Sequence, residues 1–207
     1  MVHRSYELVT IGFTNTLGSL EVALQTFMPY QSFEASAAVL DNKRLGKQRI
    51  ENLQIAMALV DNGGLRGGWK AHPAARMWHG HLAWLVLYQQ AICHEWIIVR
   101  GFKDTCWEKT LDNLARDLPA SRAWNTLSSP VSHSDVPRPW FLDSEALRLT
   151  HRDNLVRKAP ELYLKHFGPL RSELAYVWTE ERARELEEAL NFEELPEEFL
   201  MPDSTIK

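Results

Sequence analysis

The chain has only two cysteines, Cys93 and Cys106, in no metal-ligand spacing. That excludes a paired-cysteine zinc motif and a disulfide scaffold, and both read as reduced structural thiols. The N-terminus lacks the continuous apolar run of a signal peptide. The richest apolar stretch, His81 to Val99, is interrupted by Gln89, Gln90, His94 and Glu95, too often for a bilayer span, and reads as a buried core helix. A cytoplasmic location with no membrane partner is therefore expected. No P-loop or dinucleotide-type glycine loop is present, since GGLRGG at 63–68 has neither the spacing nor a flanking strand. A GxSxG elbow and a kinase signature are also missing. No segment alternates as a strand, and nothing repeats.

What is there suits one globular domain: 207 residues, 45% hydrophobic and 24% charged, enough to bury a sizeable core. The net charge of −4 would argue against nucleic acid if it were evenly spread. It is not: residues from Glu180 onward hold 10 acidic against three basic residues, whereas residues 1–179 hold 20 basic and 17 acidic. The acidity belongs to the C-terminus, and the body is mildly basic.

Local signals predict helices throughout. Ser32 caps one through Leu40, and Asp41 or Asn42 caps the next, which carries DNKRLGKQRIENLQ and ends at Asn62-Gly63-Gly64. Ile50, Leu53, Met57 and Val60 recur at three- and four-residue steps, predicting its apolar face, with Lys43, Arg44 and Lys47 directed away. Gly46 is costly inside a helix and implies a close approach by a ligand or a tight helix crossing. Pro73 opens a helix predicted to run to Arg100, closed by Gly101 and about 42 Å long. A further helix is expected around Trp107 to Asp117, then an irregular loop from Pro119 to Pro139. Ser144 caps a helix through Lys158, Pro160 opens one ending at Gly168, and Thr179 caps TEERARELEEAL, with acids at its positive end. The predicted fold is all-α: one domain around a long central helix, with long irregular loops. Residues 1–24 form an extension, 25–178 the helical domain and 179–207 an acidic helix and tail.

Two cationic groups stand out. One is Lys43, Arg44, Lys47 and Arg49. The other is Arg148, Arg152, Arg157, Lys158 and Lys165 with His151 and His166, beside Trp140, Phe141, Tyr163 and Phe167. Cations near flat rings suit a phosphate backbone with an unstacked base. A solvated face, with ion pairs to Asp41, Glu51, Asp153 and Glu161, accounts for the same pattern. His79 and His81 are two apart and diverge by about 200° on a helix, so they cannot share a metal, and no metal site is expected. Glu95, an acid on a mostly apolar helix, is a candidate for general acid/base work.

The order QTFMPY, VLDNKRLGKQRIENLQI, HPAARMWHG, RGFKDT, PWF, HRDNLVRKAPELYLKHFG and YVW resembles the bacterial and phage pyrimidine-dimer DNA glycosylases over Gln25 to Trp178. The resemblance implies a mainly helical protein that binds damaged duplex DNA, bends it, displaces a base and cleaves the glycosidic bond through an amine. A Schiff base would then permit strand elimination with a carboxylate's help, without metal or cofactor. The pattern departs from the best-known phage member in two ways. That member uses an N-terminal amine, whereas here about 24 residues precede the similar region. Its Arg-Glu-Leu-Pro-Arg corresponds to Lys43-Arg44-Leu45-Gly46-Lys47, so Arg44 stands where the catalytic glutamate would be. Asp41 is then the expected acid and Lys47 the expected nucleophile, with Glu95 a further candidate. Lys43, Arg44, Arg49, His72, Arg76, His151, Arg152, Asn154, Arg157, Lys158, Tyr163 and His166 are the expected substrate contacts. DNA is the expected partner. The expected function is a DNA N-glycosylase with Schiff-base AP lyase activity on damaged or modified pyrimidines. The alternatives are a non-cleaving nucleic-acid-binding module and an enzyme acting on a nucleotide-like anion. The oligomeric state is not legible.

Overall fold

Polar side chains start several of the helices. In a computed structural model describing residues 26–60, 71–117, 138–170 and 176–190, Ser32 caps α1 (Phe33–Val39) and Asp41 caps α2 (Asn42–Leu59), each accepting backbone N–H groups that the first turn leaves unpaired. His72 does the same for α3 (Pro73–Met77), where Pro73 takes a position needing no N–H. Then follow α4 (Leu82–His94), a π-turn (Glu95–Val99) and α5 (Cys106–Asp117). After a 3-10 turn (Trp140–Leu142) come α6 (Glu145–Lys158, capped by Ser144), α7 (Pro160–Phe167) and α8 (Glu180–Leu190). Among the described residues every regular element is helical, as predicted.

The expected unbroken helix from Pro73 to Arg100 is two helices. Gly80 takes φ +84, a conformation that ends α3 and restarts the chain at His81. Trp78, wholly buried, fixes the break by donating its indole N–H to Thr26 Oγ1 at 3.0 Å. The far end is as predicted, with Gly101 at φ +70. The segment Leu82–Val99 is long and apolar enough, by length and composition, to cross a membrane, but α4 is a core element. Its Trp84, Leu85, Tyr88 and Ile92 pack with Leu45, Ile55, Trp78, Phe141 and Leu155 at the centre of the fold.

The predicted face of α2 is also turned. Ile50 and Met57 are exposed and Leu53 half-buried, Val60 alone of the predicted four is buried, and the buried strip includes Leu45, Gln48, Glu51, Asn52, Ile55 and Ala56. The reason is an extended segment, Thr26–Tyr30, threaded through the core. Its backbone needs polar partners, and side chains supply them. Phe27 N donates to Gln48 Oε1 and Met28 N to His151 Nδ1, both at 2.8 Å. Tyr88 donates its hydroxyl to Phe27 O, and Arg152 Nε donates to Pro29 O at 2.7 Å. Gln48 in turn donates to Asn52 Oδ1 at 2.7 Å.

Helix α8 lies on α6 through Ala146, Val177, Ala183 and Leu186, and Glu187 accepts from Ser144 Oγ and Ala146 N. The 1–24 extension, the 63–68 glycine loop, most of the 119–139 loop and the tail beyond Leu190 lie outside the described residues.

Candidate active site

The first turn of α2 is locked to α7 by one carboxylate. Asp41 Oδ1 accepts from the backbone N–H of Lys43 (2.9 Å) and Arg44 (3.2 Å). Oδ2 accepts from Arg44 Nη1 (2.5 Å) and the Tyr163 hydroxyl (2.6 Å). The Tyr163 oxygen also accepts from Asp41 N at 2.9 Å, and the Arg44 guanidinium lies 5.3 Å over the Tyr163 ring. Burial disfavours the Asp41 anion, but the hydrogen bonds from Tyr163 and Arg44 outweigh it and hold the carboxyl below its usual range. Burial and then the Asp41 bond push the Tyr163 phenol above its usual range.

One turn further along α2, Lys47 Nζ stands 3.1 Å from Glu51 Oε1. The lysine side chain is 61% exposed, whereas that of the glutamate is 8% exposed. Across from them, Lys158 ends α6. Burial and then the cations of Arg44 and Lys47 pull its ammonium below the usual lysine range, with Glu51 opposing. Arg44, Lys47, Glu51 and Lys158 thus share one electrostatic field, which brings one member of the late cationic group, Lys158, to the early one. This site joins a lysine whose ammonium is held below its usual range, a buried carboxylate and exposed cations, groups with the chemistry for amine attack and proton abstraction.

Residues 24–109 match the pyrimidine dimer DNA glycosylase family. The match supports the family read from the sequence motifs. It spans α1 to the start of α5 and so includes Lys47 and Glu51, while Lys158 and Tyr163 lie beyond it. Comparison with curated proteins and with solved structures gives no match.

Several residues expected at a glycosylase site are committed elsewhere. Asp41 has all its acceptor positions filled, which suits a cap and not a general base. Glu95 pairs with Arg100 at 2.9 Å, part of a brace in which Arg100 also reaches Asn42 Oδ1 and the carbonyls of Ala37 and Ala38. Arg49 is ion-paired with Asp104 and lies over Trp96. His151 has no exposed surface: its ring meets Phe27, Tyr176 and Trp178, and burial depresses its pKa to about 3, so it holds Met28 and cannot reach DNA. Arg152 holds Pro29 and Glu145, Asn154 donates to Thr150 O of its own helix, and Tyr163 is buried with its hydroxyl given to Asp41. His72 Nδ1 accepts from Ala74 N at 3.2 Å as the cap of α3.

Exposed positions remain at Lys43 and Lys47 on α2, Arg76 on α3, Arg157 and Lys158 at the end of α6, and His166 on α7. The buried carboxylate that the sequence reading did not single out is Glu51. Its signal was in the sequence: four residues after Lys47, it shares a helix face with that lysine.

Proposed function

We propose that the protein is a DNA N-glycosylase with AP lyase activity, acting on damaged pyrimidines through an amine of the Lys47–Glu51–Lys158 cluster. The supporting observation is the buried Glu51 carboxylate at 3.1 Å from an exposed lysine and in the field of a second whose pKa is lowered. Lys158 is the amine of choice, because burial and its cationic neighbours enlarge its neutral fraction. Lys47 and Lys43 would meet flanking phosphates.

The amine's lone pair forms an N–C1′ bond as the bond from C1′ to the base breaks, and the base leaves with a proton. Opening of the C1′–O4′ bond, with a proton passing to O4′, gives the iminium. Glu51 then takes a C2′ proton, and the released electron pair expels the 3′ phosphate as the C3′–O3′ bond breaks. No metal or cofactor enters these steps.

Incubation with abasic-site duplex and borohydride tests the reading. A covalent protein–DNA adduct is the expected result. DNA binding without any trapped adduct would remove the Schiff-base chemistry and leave a binding module.

A further inference from the structure

At Glu95 the chain leaves α-helical spacing for a five-residue π-turn, a rare local form that is frequent at functional sites. The turn is held firmly. Arg100 ties it to Glu95, to Asn42 at the head of α2 and to the end of α1. The Trp96 indole lies so close to α2 that a Cβ on Gly46 would stand 3.1 Å from it. The Arg49 guanidinium covers the indole at 4.5 Å, and the Phe102 ring packs against it at 4.3 Å.

On this braced turn Ile98 and Val99 are 69% and 61% exposed, and Phe102 is 37% exposed. A rigid apolar ridge facing water contributes nothing to folding. Its surroundings are cationic. Lys43 and Lys103 are exposed, while the adjoining acids Glu95 and Asp104 are directed to Arg100 and Arg49. Gly46, under Trp96, immediately precedes Lys47, so the turn is seated on the helix that carries the amine–carboxylate cluster.

We propose that Ile98 and Val99, backed by Phe102 on Trp96, form a wedge that enters the base stack of duplex DNA beside the Lys47–Glu51–Lys158 site, with Lys43 and Lys103 on the adjacent phosphates. The inference rests on the reading of DNA as substrate. Apolar side chains inserted at a base step unstack it and kink the duplex, and a nucleotide next to a kink is easier to displace. An anionic bilayer would also take an apolar ridge with a cationic rim. DNA is favoured because two side chains on a single turn fit one base step and give a membrane little area.

The test uses the full chain and a duplex holding a stable abasic-site analogue, with 2-aminopurine at successive nearby positions. Wild type raises the fluorescence at one of them. The Ile98→Ala/Val99→Ala variant loses that rise and binds the duplex on the order of tenfold more weakly. Its single-strand affinity and salt slope stay unchanged, since no cation is removed. Wild-type duplex binding with the same fluorescence and affinity in the variant overturns the wedge and leaves the DNA reading intact. Failure of wild type to bind duplex, with or without binding to phosphatidylserine vesicles, overturns both.

Discussion

Glu51 keeps its carboxylate buried while holding the Lys47 ammonium at 3.1 Å, so the anion faces the exposed side of α2 without being solvated there. A carboxylate on this face, within reach of bound DNA, is the group available to take a C2′ proton. Glu51→Gln keeps the side-chain volume and removes the base. The expected outcome is a fall of about 10²–10⁴-fold in strand scission at a preformed abasic site. Borohydride trapping persists because the amine is untouched. Unchanged scission would exclude Glu51 from proton transfer.

Asp41 is a structural carboxylate, joining the head of α2 to Tyr163 of α7. Asp41→Ala removes the cap and is expected to cost about 1–2 kcal/mol in denaturant unfolding. Asp41→Asn keeps capping ability and isolates the charge. Because the folded carboxyl lies below its unfolded value of 3.8, its stabilisation is complete above that value and is lost as the pH falls through the lower folded one. Asp41→Asn therefore flattens the acid limb of stability only at the lowest pH.

His151 acts in a higher window. Its folded pKa of about 3 lies below the ordinary 6.5, so the neutral ring stabilises the fold fully above pH 6.5. That contribution falls as the pH drops from 6.5 toward 3, with a slope approaching about 1.4 kcal/mol per pH unit. Urea titrations at a series of pH values should show this slope in wild type. His151→Gln, which lacks a titrating group, should lose the slope while being less stable at neutral pH.

The capping residues Ser32, Asp41 and Ser144, and Pro160 as a first helical residue, were legible because a helix start is a local device, read from one or two positions. The face of α2 was not, because Gln48 and Asn52 are buried to serve the backbone of Thr26–Tyr30, and no hydrophobic period encodes a polar core strip. His151 misled for the same reason: it sits in a run of cations but on the inward side of α6. The Lys47–Glu51 spacing lay open in the sequence, whereas the approach of Lys158 is a tertiary fact, reached through the Asp41–Tyr163 tie that joins the head of α2 to α7, the helix that follows Lys158.

Gly46 answers to Trp96. Alanine would raise helix propensity by about 1 kcal/mol, but its Cβ would stand 3.1 Å from an indole pinned between Arg49 and Phe102. Gly46→Ala is expected to destabilise the wild-type chain. In a Trp96→Ala background the same change should stabilise by about 1 kcal/mol. Equal effects in both backgrounds would show that the indole does not select glycine.

The identity of the nucleophile can be separated from the role of charge. Lys158→Arg retains a cation at the end of α6, but a guanidinium does not form a Schiff base at working pH. The borohydride adduct is expected to vanish, while duplex affinity and its salt slope remain. Lys47→Arg should keep the adduct. Because burial and nearby cations place the Lys158 ammonium below its ordinary value of 10.5, the neutral amine accumulates at lower pH than for a free lysine. The trapping rate should therefore rise with pH and level off below 10.5. Loss of the adduct in Lys47→Arg alone would move the nucleophile to Lys47, and its survival in both variants would place the reacting amine outside this cluster.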